Sequence, residues 1–363
     1  MADEQTVPAP RGDAGADEAP AVNSGSGASV GRRKPSSGRS AGRWAIRFVL
    51  VVLVVIIGGV IYLIDITVNP DIGPDGFQVR RVASTASKHL SSSPDVISAE
   101  TTDASADLTG NNVRLDVRLK DNTSPDTAAN LLASTWQKTL QEEPDYSGEF
   151  IISVSWNAKG STIDIDVYSQ RDPEAIRTDV KRALTPVGEA KTFTGKIDEY
   201  QGPTIDYGDV TATPTTLTQP GMKKSSKTFT MNGWKVTSTA KIDGQFSNPP
   251  FDQLITAAKQ ASPTGTIDLN GDTLSITGLV TDDSKDLTPE AAAPAVHTVN
   301  NCQAAGLTTL QLNIWASTPS NVHNPWLTFT CNNGTWTPHH DSTRGQDETT
   351  ILNKAAELQM TTV

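Results

Sequence analysis

Several things are scarce in this 363-residue chain, and some of these scarcities remove a class of function. Cysteine occurs twice, at Cys302 and Cys331, too few for a disulfide framework or a cysteine-rich zinc module. Aromatic residues make up 6% and histidine occurs five times. Beyond residue 64 there is no G-x-S-x-G, and the whole chain has no P-loop, no H-E-x-x-H and no glycine pattern opening a Rossmann helix. Basic residues are outnumbered, 30 against 41 acidic, for a formal charge of −11. Seven of the basic side chains lie in residues 1–47, leaving 23 basic against 36 acidic beyond them. Nucleic acid, which needs a basic footprint, is therefore not expected as a partner, and no cofactor is indicated.

What the chain does have is one long apolar run. Phe48–Ile64 carries no charge, and its 17 residues would cover about 26 Å as a helix, enough for a bilayer core. Arg32, Arg33, Lys34, Arg39, Arg43 and Arg47 precede it, whereas Asp65, Asp71 and Asp75 follow. The basic flank is expected to stay in the cytoplasm and the C-terminus to lie outside the membrane. A leader of more than 40 residues and the uncleavable-looking Ile61–Asp65 argue for an uncleaved anchor over a signal peptide. Residues 1–43, rich in Ala, Gly, Ser and Pro, lack the apolar content to order themselves and are expected to form a disordered tail. In an oxidising compartment Cys302 and Cys331 are expected to form one disulfide, worth about 3–4 kcal/mol in the chain-entropy picture.

Beyond the span one rhythm repeats, a helix and then two strands. Ser124-Pro125-Asp126, Asp172-Pro173-Glu174, Thr288-Pro289-Glu290 and, more loosely, Asn248–Asp252 combine a cap, a first-turn proline and an acid. Amphipathic stretches follow, as in Ala128, Leu131, Leu132, Trp136 and Leu140. The strands alternate: Val113, Leu115, Val117 and Leu119 against Arg114, Asp116 and Arg118, and Ile163, Ile165 and Val167 against Asp164 and Asp166. Asn270-Gly271 and Asn333-Gly334 mark hairpins.

These patterns predict an α+β protein of two two-layer α/β sandwich modules, with antiparallel sheets carrying helices on one face. The helix–strand–strand order resembles ferredoxin-like or BON-like modules in shape, and no motif identifies a family. The expected organisation is a tail (1–43), a transmembrane helix (44–65), a juxtamembrane linker (66–76), a first domain (77–202), a linker (203–226) rich in Pro and Thr, and a second domain with the disulfide (227–363). Lys191-Thr-Phe-Thr194 recurs as Lys227-Thr-Phe-Thr230, which hints at duplication.

Candidate sites are few. Asp268-x-Asn270-Gly271-Asp272 opens like a calcium loop but has Leu279 where the last ligand belongs, and it reads as a hairpin turn. His323, His339, His340 and Asp341 have no metal-ligand spacing. Ser238-x-x-Lys241 has serine–lysine spacing, but on a strand, where i and i+3 face apart. Asp164 and Asp166 share a strand face and are expected to meet Arg114 and Arg118 rather than do acid–base work. Trp315, Trp326 and Trp336, near Asn313, Asn324 and Asn332, form a possible ligand surface, because aromatic and amide groups together bind sugars or peptides. Asn122 and Asn333 open glycosylation sequons. The expectation is a non-catalytic, membrane-anchored binding or scaffold protein of the cell envelope whose partner is an envelope protein or wall polymer. The alternatives are an envelope hydrolase or transferase, or a transmembrane sensor acting through its tail.

Overall fold

A computed structural model describes residues 41–68, 70–108, 110–169, 172–281, 286–316 and 325–361. The expected disordered tail falls almost entirely outside the described residues, as do His323 and Asn324. Helix α1 (Ala41–Val68) contains the apolar run, and its stretch Phe48–Asp65 is long and apolar enough to cross a membrane. None of that stretch is buried within the protein. Residues 66–76, expected as a linker, hold the end of α1, a 3-10 turn at Pro70–Ile72 and the start of helix α2 (Pro74–Ser91).

From α2 onward the chain repeats its helix–strand–strand unit. α2 is followed by β1 (Val96–Asp107) and β2 (Gly110–Leu119). Helix α3 (Pro125–Glu142) precedes β3 (Glu149–Ala158) and β4 (Ser161–Tyr168). Helix α4 (Pro173–Ala183) precedes β5 (Thr192–Ile197) and β6 (Thr204–Asp209). A fourth pair, β7 (Ser226–Met231) and β8 (Trp234–Thr239), has no helix before it. Helix α5 (Phe251–Ala261) precedes β9 (Gly265–Asn270) and β10 (Thr273–Thr277). Helix α6 (Pro289–Thr298) precedes β11 (Thr309–Asn313), β12 (Trp326–Asn332) and β13 (Thr335–Pro338). Helix α7 (Thr343–Thr361) ends the described chain.

Three of the four expected helix starts form as read. The side chains of Ser124, Asp172 and Thr288 accept from the backbone N–H of Thr127, Glu174 and Ala291, each ahead of a first-turn proline. The looser fourth does not, because Pro250 stands at the cap of α5 and has no side-chain acceptor.

The strands form one mixed sheet of thirteen, in chain order. This corrects the expectation of antiparallel sheets. Seven pairings are antiparallel, chiefly the hairpins. Five are parallel, at each join between one unit and the next. The reason is geometric: a crossing, helical at four joins and irregular at the one before β7, returns the chain to the starting end of the sheet and sets the next strand parallel to the last. Nor does strand pairing break at 203–226. β6 lies inside that stretch and pairs in parallel with β7. The repeated Lys-Thr-Phe-Thr fragment puts Phe193 in β5 and Phe229 in β7, the first strands of the third and fourth units. The repetition therefore has the period of one unit, not of one domain.

The register aligns the apolar positions into a single buried face. Val154 pairs with Ile165, Ile163 with Phe193, Phe193 with Ile205, and Phe229 with Val236. Val236 continues to Ile267, Ile276 and Leu312. All are buried in one core together with Val79, Leu132, Val180, Leu254, Val296 and Ile351 from the helices. Cys302 and Cys331 are disulfide-bonded, with Cα atoms 5.9 Å apart, and tie the approach to β11 onto β12.

Where the fourth unit lacks a helix, residues 210–225 cross in irregular form. Leu217 and Met222 bury themselves on the core in its place. A loop laid on a core must satisfy its backbone groups, and three side chains supply the partners. Asp252 accepts from the N–H of Thr213, and Glu189 from those of Thr215 and Thr216. Burial alone would raise the Glu189 pKa, but these bonds outweigh it and hold the carboxyl below its ordinary value. Lys227, 2% exposed, donates through Nζ to the carbonyls of Thr216 (2.6 Å) and Gln219 (3.0 Å) and lies 4.4 Å from the Phe246 ring centroid.

Burial pushes the Lys227 ammonium down from 10.5 to about 8, against the attraction of Glu189. Between those values the unfolded chain holds a proton that the folded chain has released. Stability is therefore expected to rise as pH rises from about 8 to 10.5, and to be lost again on acidification through about 8. The effect is expected to reach up to about 3 kcal/mol. The check is the pH dependence of urea unfolding in the wild type minus that of Lys227→Met. Parallel curves for the two proteins would refute it.

Candidate functional site

The face of the sheet opposite the helices is open and polar, and it carries two distinct regions. Over β1–β4 it forms a groove of about 580 Å³ lined by Glu100, Asp103, Arg114, Asp116, Arg118, Asp164 and Asp166, among others. Strand alternation places these side chains there, because their neighbours Leu115, Val117, Ile163 and Ile165 occupy the core. Arg114 Nη2 donates to Ser153 Oγ (2.9 Å) and to Asp166 (3.1 Å), and Ser153 Oγ donates to Asp166 Oδ1 (2.6 Å). The expected meeting of arginines with aspartates thus holds for Arg114 and Asp166. Arg118 instead lies 3.6 Å from Asp121, and Asp164 projects into the groove without a partner among the described residues.

The second region runs across the rest of the sheet. Successive cross-strand neighbours are Thr194 in β5, Thr204 in β6, Ser226 in β7, Thr239 in β8, Asn270 in β9, Thr273 in β10 and Thr309 in β11. All seven are exposed or half-buried. None carries charge, and none of their side chains makes a hydrogen bond among the described residues. At about 4.8 Å per strand the row is roughly 29 Å long. The adjacent row on the same face runs Thr162, Thr192, Asp206, Thr228, Thr237 and Asp268, so it carries two carboxylates, of which Asp206 accepts from Thr228 Oγ1 (3.0 Å).

Of the three candidate tryptophans, one lies in the core and two adjoin Asn313. Trp336 is buried and donates through Nε1 to the carbonyl of Val299 (2.8 Å), so it belongs to the core. Trp326 is half-buried in β12 opposite Asn313, and Trp315 is half-buried with its N–H donating to Asn313 Oδ1.

The remaining candidates resolve individually. Asp268 and Asn270 end β9, and Gly271 and Asp272 form the turn into β10. Asn333 and Gly334 form the turn between β12 and β13, with φ of 52° and 82°. Ser238 is buried in β8, whereas Lys241 lies beyond the strand with Nζ 3.4 Å from the Gly306 carbonyl. The cross-strand neighbour of Ser238 is Lys227. Among the described residues no group of three or more His, Cys, Asp or Glu side chains is placed to hold a metal.

His339 and His340 lead to a residue that no sequence pattern marks. Glu348, in α7, is fully buried. Its Oε1 accepts from the N–H of Thr328 (2.7 Å) and lies 2.6 Å from His340 Nδ1. Its Oε2 accepts from the N–H groups of His339 (2.9 Å) and His340 (3.0 Å). The histidines thus belong to a clasp between α7 and the ends of β12 and β13. The only sequence signal was a glutamate on a helix, which cannot be told from a solvated one. Lys227 was equally hidden, as a lysine in an alternating strand, and the hydroxyl row needs a register that no single strand reveals.

Comparison with protein-family models, with characterised proteins and with solved structures finds no match to this chain.

Proposed function

We propose that the chain is a single-pass membrane protein of the cell envelope, with residues 1–43 in the cytoplasm and the sheet domain outside. The excess of arginine and lysine before Phe48 supports that orientation, and the Cys302–Cys331 disulfide supports an oxidising compartment. In this reading the sheet domain is a binding or scaffold module without turnover, and its partner is an envelope protein or a wall polymer. The carrying observation is the polar face of the thirteen-stranded sheet, on which the side chains of the row from Thr194 to Thr309 make no hydrogen bond among the described residues.

The alternative of an envelope hydrolase or transferase has one observation in its favour: Asp164 stands unpaired in the groove beside Asp166. The ion pair and the serine bond on Asp166 favour a structural role for that member.

Chemical crosslinking of the tagged full-length protein in its native membrane, followed by mass spectrometry, tests the reading. One dominant envelope species, protein or polymer, is expected. If nothing rises above background while Asp164→Asn abolishes a hydrolytic activity of the purified protein, the binding reading fails and the enzymatic one replaces it.

A further inference from the structure

The uncharged row from Thr194 to Thr309 narrows the ligand class, and the inference rests on the binding reading above. Threonine suits exposed strands, but such positions ordinarily share the surface with Lys, Glu and Arg, which keep a sheet soluble and unpaired. Charged residues make up 20% of this chain, and the row contains none. An anionic partner finds no cation in the row and meets the carboxylates that border it, Asp164 beside Thr194 and Asp206 and Asp268 in the adjacent row. An apolar partner would strip water from seven polar side chains and return no hydrogen bonds, which is costly. Hydroxyl groups both donate and accept, so a partner that is itself covered in hydroxyls replaces the lost water bond for bond. The row is one side chain wide and roughly 29 Å long, which suits a linear chain rather than a compact ligand. We infer that this row is a track for a neutral, hydroxyl-rich polymer, a polysaccharide lying across the strands of the sheet.

The test is co-sedimentation of the full-length protein in detergent micelles with insoluble cellulose, chitin and raw starch. Carboxymethyl-cellulose serves as the anionic counterpart. Two variants accompany the wild type. Thr204→Val with Thr273→Val removes two hydroxyls and keeps strand preference, and Thr204→Glu with Thr273→Glu puts charge into the row. Both sites face solvent, and overlaid thermal melts establish that the fold persists.

Wild-type protein is expected to bind at least one neutral polymer, with retention unchanged when salt is raised to about 1 M. Each double variant is expected to bind at least about tenfold more weakly. Retention on none of the three neutral polymers, retention only on the anionic one, or equal retention by wild type and both variants would overturn the inference. If crosslinking captures a protein partner while no polymer is retained, the ligand class is wrong and the binding reading stands. If neither is seen, both fall.

Discussion

Replacing Glu348 with alanine is expected to cost about 3–5 kcal/mol of stability, measured by urea unfolding of the full-length protein in detergent and followed by tryptophan fluorescence. Three backbone N–H groups, those of Thr328, His339 and His340, would lose their acceptor, and the His340 ring would lose its partner. The side chain is fully buried, so water does not readily replace it. The same carboxylate fastens α7, whose Ile351 and Ala355 join the core. Glu348→Gln keeps the shape and one acceptor oxygen but turns an amide N–H₂ toward donors, and an intermediate loss is expected. A loss below about 1 kcal/mol for the alanine variant would mean that the clasp does not hold α7.

Residues 227–363 produced alone are expected not to fold cooperatively. Composition points to a domain boundary just before them, yet the structure makes β7 an interior strand there. Without the preceding chain β7 loses its parallel partner β6. Leu217 and Met222 no longer cover the core beside Phe229 and Phe251. The Lys227 ammonium loses the carbonyls of Thr216 and Gln219 and is left on an apolar surface. Far-UV circular dichroism through a thermal ramp and amide dispersion by NMR report the outcome. A sharp melt with dispersed amides would establish an independent second domain and refute the view that one sheet folds as one unit.

Much of the local structure was legible. Proline in the first turn, a cap before it and an acid after it marked α3, α4 and α6, because those residues satisfy orphan amides wherever they occur. Alternation marked β2 and β4, because period two is a property of the strand itself. The Asn333-Gly334 hairpin was read, and Asn232-Gly233, which turns β7 into β8 with φ of 52° and 85°, carried the same signal and was passed over. The Cys302–Cys331 pair was read from number and compartment alone.

The candidate sites were less legible, because function on this surface depends on neighbours distant in sequence. Thr204 and Ser226 are side by side in the sheet and 22 positions apart in the chain. Trp336 resembled a ligand residue until the carbonyl of Val299 was seen to receive its N–H. Lys227 and Glu348 looked like ordinary surface charges because burial is set by what packs over a residue.

The sequence by itself determined the apolar span, the helix starts, the faces of the strands and the disulfide partners. Each depends on groups within a few residues of one another, or on there being only two cysteines. Tertiary structure alone decided that the hairpins join through parallel pairs into one sheet, that an irregular crossing replaces a helix before β7, and that seven uncharged side chains line up across the strands. Those features depend on register between distant segments. Register is set when the whole apolar face is buried at once, since a slip of one residue would turn that face to water.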